Sequence, residues 1–352
     1  FMATRAHVCD LFAPYGAEAD ICIVEGMMGL FDGYERDKGS SAEVAETLGI
    51  PVVLVVDAKS AAYSMAPLLS GFLHFKEGVD IVGVIFNKVG SERHFQMLQQ
   101  VCEDLGVECL GYLPKSAALE QGSRYLGLDF SQQPETEELM RLLESHVNWE
   151  RLLQITISNS YSDGLTQNEK QNLSVLIARN AESFSFLYQE TIDRFARVSY
   201  FDPETEEPDF DGIDMLYLPG GYPEKHLEAL VANAACRQAI KDFAERGGHV
   251  QAECGGMMYL CEKIVTDEGE YPMCGVLPYI ISARKADRKL SLGYRQFVLD
   301  GQEYRGHEFH YTQFSGSAPS SEVQVFNAKG EPVPTPVFRY KNVLASYTHL
   351  YG

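Results

Sequence analysis

The stretch that decides the fold is "HVQAECGGMMYL", residues 249–260. A short apolar strand pattern ends at Cys254, two glycines follow, and a helical pattern begins at once. Small residues after the cysteine permit a tight turn, so the thiol is expected to stand exposed with backbone N–H groups next to it. A helix N-terminus beneath the sulfur also favours the thiolate. Since a strand-end cysteine more often serves packing, this stretch alone does not assign a nucleophile.

Apolar strand patterns, among them 20–26, alternate with helical patterns, among them one near 183–195, on both sides of this stretch. This alternation predicts an α/β protein with parallel sheets covered by helices. The polar segment after an amphipathic helix at about 135–148 is typical of a linker. We predict a first domain over 1–148, a linker over 149–171 and a second domain over 172–352.

Composition limits the function classes. The chain has 352 residues and a formal net charge of −21, which argues against nucleic acid or an anionic membrane as a partner. Its eight cysteines form no CxxC pair, so they are expected to be reduced thiols. The first residues lack a signal pattern, and no apolar run approaches a membrane span, so we expect a cytoplasmic protein.

Two other segments change the interpretation of Cys254. "LPGGYPE" (218–224) places a glycine pair at a strand end, where its N–H groups could stabilise an oxyanion. "ASYTHLYG" (345–352) places His349 just after a late strand. Alone, the first could be a plain turn and the second a core or surface histidine. A thiol, a glycine turn and an imidazole at strand ends of one domain together indicate nucleophilic catalysis.

These motifs resemble the class I glutamine amidotransferase domain found in corrinoid amide synthases. The first half is similar to the synthetase domain of the cobyrinic acid a,c-diamide synthase family, and the likeness is nearly full length. It is carried by "VEGMMGLFDG" (24–33), "VVLVVDAKSAA" (52–62), "VIFNKVGSERH" (84–94), "SRYLGL" (123–128) and "YRGHEFHYT" (304–312). The resemblance implies an incomplete P-loop sheet of the dethiobiotin-synthetase type, followed by a flavodoxin-like amidotransferase domain.

For the second domain, the resemblance implies that Cys254 attacks L-glutamine and that His349 is its acid/base partner. The N–H groups of Gly221 and Gly255 would hold the oxyanion. Many class I amidotransferases carry a glutamate two residues after the histidine. Tyr351 stands there in this chain, so a Cys–His dyad is expected.

For the first domain, the resemblance implies ATP and Mg²⁺. Glu25 is the expected magnesium ligand, and Asn87 and Asp57 are expected at the nucleotide; capping a helix is an equal alternative for Asp57. Asp32 is expected on the substrate or metal side, and Arg124 is a candidate for pairing substrate carboxylates. Where the family has histidine after this arginine, this chain has Tyr125, which leaves an imidazole role there without support.

The segment "GHEFH" (306–310) lacks the HExxH spacing of a zinc site. In a strand, His307 and Glu308 would point to opposite faces. We therefore predict a substrate-facing role for His307, or one at a domain interface, in preference to metal binding.

A phosphate-binding GxxxxGK[ST] string does not occur in these 352 residues. We expect the corresponding loop and strand to lie upstream. Without such a loop, ATP binding and amidation would fail, while glutamine hydrolysis could continue.

The predicted activity is glutamine-dependent, ATP-driven amidation of the a and c carboxylates of cobyrinic or hydrogenobyrinic acid. A corrinoid polycarboxylate is thus the expected partner, and a homodimer is compatible with the sequence. The alternatives are another tetrapyrrole, such as nickel-sirohydrochlorin, a cobyric acid synthase type of reaction, or a glutamine-binding protein without catalysis.

Overall fold

The computed structural model describes residues 1–116, 136–157, 170–316 and 319–351. The chain forms two compact units. The N-terminal unit is Arg5–Leu165, and the C-terminal unit is Thr166–Gly352 together with Phe1–Thr4. Among the described residues, no helix combines the length and apolar character that crossing a bilayer requires.

The N-terminal unit has helices on a parallel sheet of three strands in the order β1–β2–β3. Val84, Phe86, Leu98 and Val101 are fully buried between sheet and helices. The strands are β1 (Val52–Asp57), β2 (Ile81–Val89) and β3 (Glu108–Pro114). The helices are α1 (Arg5–Glu18), α2 (Ser41–Leu48), α3 (Met65–His74), α4 (Glu92–Leu105), α5 (Thr136–His146) and α6 (Trp149–Ile155).

Local sequence signals set the bounds of α2 and α4. The Ser40 hydroxyl accepts from the Glu43 N–H at 3.2 Å, and the Ser91 hydroxyl accepts from the His94 N–H at 3.2 Å. Both helices end at a glycine in the left-handed conformation, Gly49 and Gly106. Serine N-caps and glycine C-caps satisfy backbone groups that a helix leaves unpaired at its ends.

The apolar segment 20–26, which the sequence pattern predicts to be a strand, is not a strand. Ile21 is 60% exposed and Ile23 is 90% exposed, and neither belongs to a β-ladder within the described residues. A strand is defined by pairing with a neighbour, so an apolar alternation without a partner remains extended loop. Glu25 therefore lies on an exposed segment and does not close a strand.

The C-terminal unit is built on a sheet in the order β16–β17–β7–β6–β4–β5, parallel except for the β16–β17 pair. Two smaller sheets have the orders β13–β10–β8–β9 and β15–β14–β11–β12–β18.

The helices of the C-terminal unit are α7 (Gln189–Asp193), α8 (Leu227–Ala232), α9 (Ala234–Glu245) and α10 (Gly255–Leu260). The strands are β4 (Gln171–Ala178), β5 (Phe195–Phe201), β6 (Met215–Leu218), β7 (His249–Glu253), β8 (Cys261–Val265), β9 (Glu270–Pro272), β10 (Leu277–Ser282), β11 (Ser291–Leu299), β12 (Gln302–His310), β13 (Gln313–Phe314), β14 (Val325–Phe326), β15 (Pro332–Val333), β16 (Val337–Tyr340), β17 (Val343–Ser346) and β18 (His349–Tyr351).

The main sheet brings three strand ends together. In the parallel register Leu218 lies opposite Ala252, and Glu253 lies opposite Ser346. The carboxyl ends of β6, β7 and β17 therefore meet at one edge, which is where ligand sites form in open α/β sheets. The glycine turn, Cys254 and the segment leading to His349 all follow directly from these ends.

In the N-terminal unit, close backbone packing at Gly111 generates a testable prediction. Gly111 has φ 131°, and a Cβ there would lie 2.0 Å from the His146 carbonyl oxygen. We expect Gly111→Ala to lower the free energy of unfolding by about 3 kcal/mol, through overpacking and backbone strain. Gly106→Ala is the control: its φ is 68° and no atom lies within 4 Å of the added Cβ, so a loss of about 1 kcal/mol is expected. Equal losses of the free energy of unfolding for the two variants in urea titrations would contradict this prediction.

Candidate active site

Cys254 occupies a strained turn between β7 and α10. Its φ is 46° and its ψ is −107°, a backbone conformation that a residue with a Cβ rarely adopts. The turn is tied to the neighbouring strand because the Cys254 N–H donates to the Ser346 carbonyl at 2.8 Å. This is the strand–turn–helix geometry that the sequence predicts.

The two glycines after Cys254 allow backbones to touch. A Cβ on Gly256 would lie 2.0 Å from the Leu218 carbonyl oxygen. A Cβ on Gly255 would lie 2.7 Å from the carbonyl oxygen of Gly221 and 3.0 Å from the backbone nitrogen of Gly221. The predicted oxyanion donors Gly221 and Gly255 therefore come from adjacent stretches of backbone.

The thiol itself is covered, contrary to the expectation that it stands exposed. Cys254 is 4% exposed, and its Sγ donates weakly to the Phe309 carbonyl of β12 at 3.9 Å. Burial raises the pKa of Cys254 well above its ordinary value, Glu224 acts in the same direction, and the Gly255 N–H opposes them. The Cys254 side chain is therefore a neutral thiol, which would need a base in order to act as a nucleophile.

His349 lies against the same glycine turn. A Cβ on Gly220 would lie 2.1 Å from its Cε1, so only glycine fits there. His349 is 4% exposed, and burial, with smaller effects of His307 and His310, lowers its pKa well below the ordinary value. The imidazole is thus neutral at rest and able to accept a proton. Since Gly220 contacts His349 and Gly221 contacts Gly255, the imidazole and the residue after Cys254 both lie against one glycine turn.

No carboxylate supports His349 among the residues that the structure describes, where its Nδ1 has no hydrogen-bond partner. The Tyr351 side chain, at the position of the usual glutamate, hydrogen-bonds to Glu190, and burial raises the pKa of Tyr351. This arrangement agrees with a dyad.

Rings from two segments surround His349. The His307 ring is stacked on it, with centroids 4.8 Å apart and planes 14° apart, and the Phe186 ring meets it at 4.6 Å and 62°. The His307 Nδ1 is 2.9 Å from the Tyr188 hydroxyl. Sequence reasoning missed Phe186 and Tyr188, because nothing in "AESFSFLYQE" (181–190) distinguishes them from core aromatics.

Glu308 points to the other face of β12, as the strand alternation predicts. Its carboxylate accepts from Arg295 Nε at 2.5 Å and pairs with His310 Nε2 at 2.7 Å. Although burial opposes ionisation, the hydrogen bond and charge of His310 and the charge of Arg295 hold the pKa of Glu308 below its ordinary value. This buried ion network belongs to the framework of β11 and β12. The substrate-facing role of His307 stays a prediction.

The predicted nucleotide residues lie together at the carboxyl edge of the N-terminal sheet. Asp57 and Asn87 are register partners on β1 and β2. Asp57 forms an ion pair with Lys88 at 2.6 Å, and that contact, with the Lys59 N–H, holds the pKa of Asp57 below its ordinary value. Lys88, with φ 58°, was not singled out from the sequence. It offers a cation beside the predicted nucleotide groups.

The remaining predicted residues are dispersed or lie outside the described part. Asp32 is exposed, and its N–H donates to the Gly29 carbonyl at 2.9 Å. Glu25 is exposed. Arg124 and Tyr125 lie outside the described residues. Within the described ranges, no group of three or more His, Cys, Asp or Glu side chains could hold a metal ion by itself.

The backbone of Cys254 is strained, so a variant without a Cβ at this position is predicted to be more stable than one that keeps the Cβ. Cys254→Gly and Cys254→Ala both delete the thiol, but only glycine adopts φ 46° without a Cβ clash. After subtracting glycine's greater chain entropy, we expect Cys254→Gly to be more stable than Cys254→Ala by about 1 kcal/mol. Thermal unfolding of the two variants tests this, and an alanine variant of equal or greater stability would refute it.

Glu253, which the sequence analysis overlooked, predicts a pH dependence of stability. It is 2% exposed, and burial raises its pKa to about 7, against the smaller effects of donors from Gln251 and Tyr217. Between its unfolded pKa of about 4.3 and about 7, the folded state holds a proton that the unfolded state releases, so stability falls as pH rises. The full loss is about 4 kcal/mol. We expect Glu253→Gln to remove this fall in urea titrations between pH 5 and 8.

The exposed Glu262 on β8 provides the control, because Glu262→Gln is expected to leave the pH profile of stability unchanged. If the stability of Glu253→Gln still decreases as pH rises from 5 to 8, another group is responsible for the decrease.

Comparison with known proteins places this geometry in a family. Residues 175–351 match a model described as a CobB/CobQ-like glutamine amidotransferase domain, and residues 3–123 match one described as an AAA domain. The cobyrinate a,c-diamide synthase of Caldanaerobacter subterraneus subsp. tengcongensis is 35% identical, over 99% of this chain and 82% of that protein. The hydrogenobyrinate a,c-diamide synthase of Brucella abortus is 36% identical, over 94% of this chain and 80% of that protein.

The hydrogenobyrinate a,c-diamide synthase of Mycobacterium tuberculosis is 34% identical, over 96% of this chain and 79% of that protein. The predicted fold class, a P-loop-like α/β domain followed by a glutamine amidotransferase domain, is confirmed. The chain therefore belongs to the cobyrinate and hydrogenobyrinate a,c-diamide synthase family, whose members are glutamine-hydrolysing ligases.

Proposed function

We propose that this chain amidates the a and c carboxylates of cobyrinic or hydrogenobyrinic acid, with glutamine as the nitrogen source and ATP as the energy source. The names of its relatives supply the substrate class. The observation that carries the amidotransferase half is the shared glycine turn, with Gly220 against His349 and Gly221 against Gly255, the residue after Cys254.

The glutaminase reaction uses the neutral dyad. The Cys254 proton moves to His349 as the sulfur attacks the carboxamide carbon of glutamine. The negative oxygen that forms is stabilised by the N–H groups of Gly221 and Gly255. The imidazolium then protonates the departing nitrogen, ammonia leaves, and water hydrolyses the thioester to glutamate.

The synthetase reaction makes a carboxylate reactive towards ammonia. A substrate carboxylate oxygen attacks the terminal phosphorus of ATP, and ADP leaves, giving an acyl phosphate. Ammonia then attacks the acyl carbon and inorganic phosphate departs, which leaves the amide. Asn87, Asp57 and Lys88 lie at the sheet edge where a nucleotide would sit, and Lys88 offers a positive charge to the phosphates.

Magnesium would be held largely by phosphate oxygens and water, with Glu25 as a protein ligand. A single exposed carboxylate fits this, because Mg²⁺ bound with nucleotides usually keeps several waters and takes few protein ligands. The ion would supply positive charge against the transferring phosphoryl group. Asp32 and Arg124 are proposed to contact the polycarboxylate substrate.

The experiment that tests the function supplies ATP, Mg²⁺ and either glutamine or ammonium to the full-length protein with cobyrinic and hydrogenobyrinic acids. We expect two amides per macrocycle with either nitrogen source, as measured by mass spectrometry. Cys254→Ala is expected to lose at least a thousandfold of the glutamine-dependent rate and to keep the ammonium-dependent rate. Glutamate release by the unmutated protein, scored separately, reports the amidotransferase half alone.

Nickel-sirohydrochlorin and diamidated corrinoids serve as competing substrates. Preferential amidation of either would replace the substrate proposal. No glutamate from the unmutated protein would indicate a glutamine-binding protein without catalysis.

A further inference from the structure

The proposed dyad requires a positive charge on the buried His349 ring to be stabilised. When His349 takes the proton of Cys254, a positive charge forms on a buried ring, which costs free energy unless something compensates it. In acid-containing triads, a carboxylate on the second ring nitrogen does this and fixes the ring orientation. Within the described residues, Nδ1 of His349 has no hydrogen-bond partner.

Two buried carboxylates near this segment are already engaged. Glu253 accepts from Tyr217, Gln251 and the Leu350 N–H. Glu308 faces away from His349, across β12, and its oxygens are paired with Arg295, His310 and Thr335. Tyr351 occupies the usual glutamate position and turns to Glu190. The support for His349 must therefore come from other groups.

His307 is placed to give that support. It lies directly opposite His349 in the antiparallel pairing of β12 and β18, so both side chains project from the same face. The two rings lie nearly parallel, 4.8 Å apart with 14° between planes. An imidazolium stacked on a neutral aromatic ring is attracted to its π face.

Tyr188 fixes the orientation of His307. Its hydroxyl and Nδ1 of His307 form a hydrogen bond at 2.9 Å, and burial raises the pKa of Tyr188, so the hydroxyl keeps its proton. Phe186 closes the group, with its ring edge-on to His307 at 5.4 Å and to His349 at 4.6 Å. We call Phe186, Tyr188 and His307 the aromatic clamp.

The His307 ring stays neutral at working pH. Burial lowers its pKa to about 4, and the opposing effect of Glu308 is smaller. Tyr188 contacts the His307 ring, Glu308 acts on its charge from the other face of β12, and His307 and His310 act on the charge of His349. A charged ring here would repel the imidazolium, whereas a neutral ring stabilises it.

We propose that His307, held by Tyr188 and stacked on His349, is the positioning residue of this dyad and does the work of the missing carboxylate. This inference rests on the proposed glutaminase function. It assigns the residue at 307 to the amidotransferase chemistry, through ring stacking and not through contact with a reacting atom.

The test compares His307→Ala, which removes the ring, with His307→Phe, which keeps a stacking face and loses the hydrogen bond. We expect His307→Ala to lower kcat for glutamate release about tenfold, the order that a lost cation–π contact gives, with KM within twofold. His307→Phe should recover kcat to within about threefold of the unmutated protein. His249→Ala, which removes an exposed histidine of the same unit, is the control with unchanged kinetics.

A second readout does not depend on glutamine. The rate of Cys254 alkylation by iodoacetamide, followed from pH 6 to 10, reports how readily the thiolate–imidazolium pair forms. We expect the apparent pKa of alkylation to rise in His307→Ala and to return towards the original value in His307→Phe.

The outcomes separate the inference from the function it rests on. An unmutated protein without glutaminase activity contradicts the proposed function, while the alkylation profiles still decide the role of His307. An unchanged kcat or alkylation profile in His307→Ala, or a phenylalanine variant as impaired as alanine, overturns the inference. If His307→Ala does not fold, Tyr188→Phe replaces it: a folded Tyr188→Phe is expected to lose about threefold in kcat, and one with unchanged kcat overturns the inference.

Discussion

The contact on which the C-terminal unit depends is that of backbone against backbone at the ends of β6, β7 and β17. Gly256 rests on the Leu218 carbonyl and Gly255 rests on Gly221, while the Cys254 N–H is held by Ser346. The two glycine contacts each exclude a Cβ. Between them and β7, Cys254 has a strained backbone conformation, and the residue after it lies against the turn whose Gly220 contacts His349. Main-chain packing therefore positions the candidate site.

Burial determines the charge state of Cys254 and His349. Taking Cys254 and His349 out of water disfavours the charged form of each, so the resting pair is uncharged. On the proposed function, the charge separation during catalysis is stabilised by groups already in place. We propose the backbone N–H groups of the glycine turn for the negative charge and the aromatic clamp for the positive one. Preorganised groups of this kind need no rearrangement when the charge appears.

Much of this arrangement could be predicted from the sequence because its signals are local or periodic. The serine caps, the Val- and Ile-rich strands and the strand–turn–helix at Cys254 require only neighbouring residues. The segment 20–26 was predicted wrongly because a strand depends on a partner that periodicity does not report. The burial of Cys254 was missed for a similar reason: Phe309, which covers the sulfur, is 55 residues away in sequence. Phe186 and Tyr188 lie where a longer helix was expected, and α7 begins only at Gln189 because the Phe186 N–H is bound to the Gly220 carbonyl.

The covered, protonated state of Cys254 has a consequence for its oxidation. Peroxide attacks thiolates, and the first product, a sulfenic acid, is the start of irreversible damage. If Cys254 is the nucleophile, as we propose, a raised pKa and a covered sulfur keep it a thiol until substrate arrives, and thiols react slowly with peroxide.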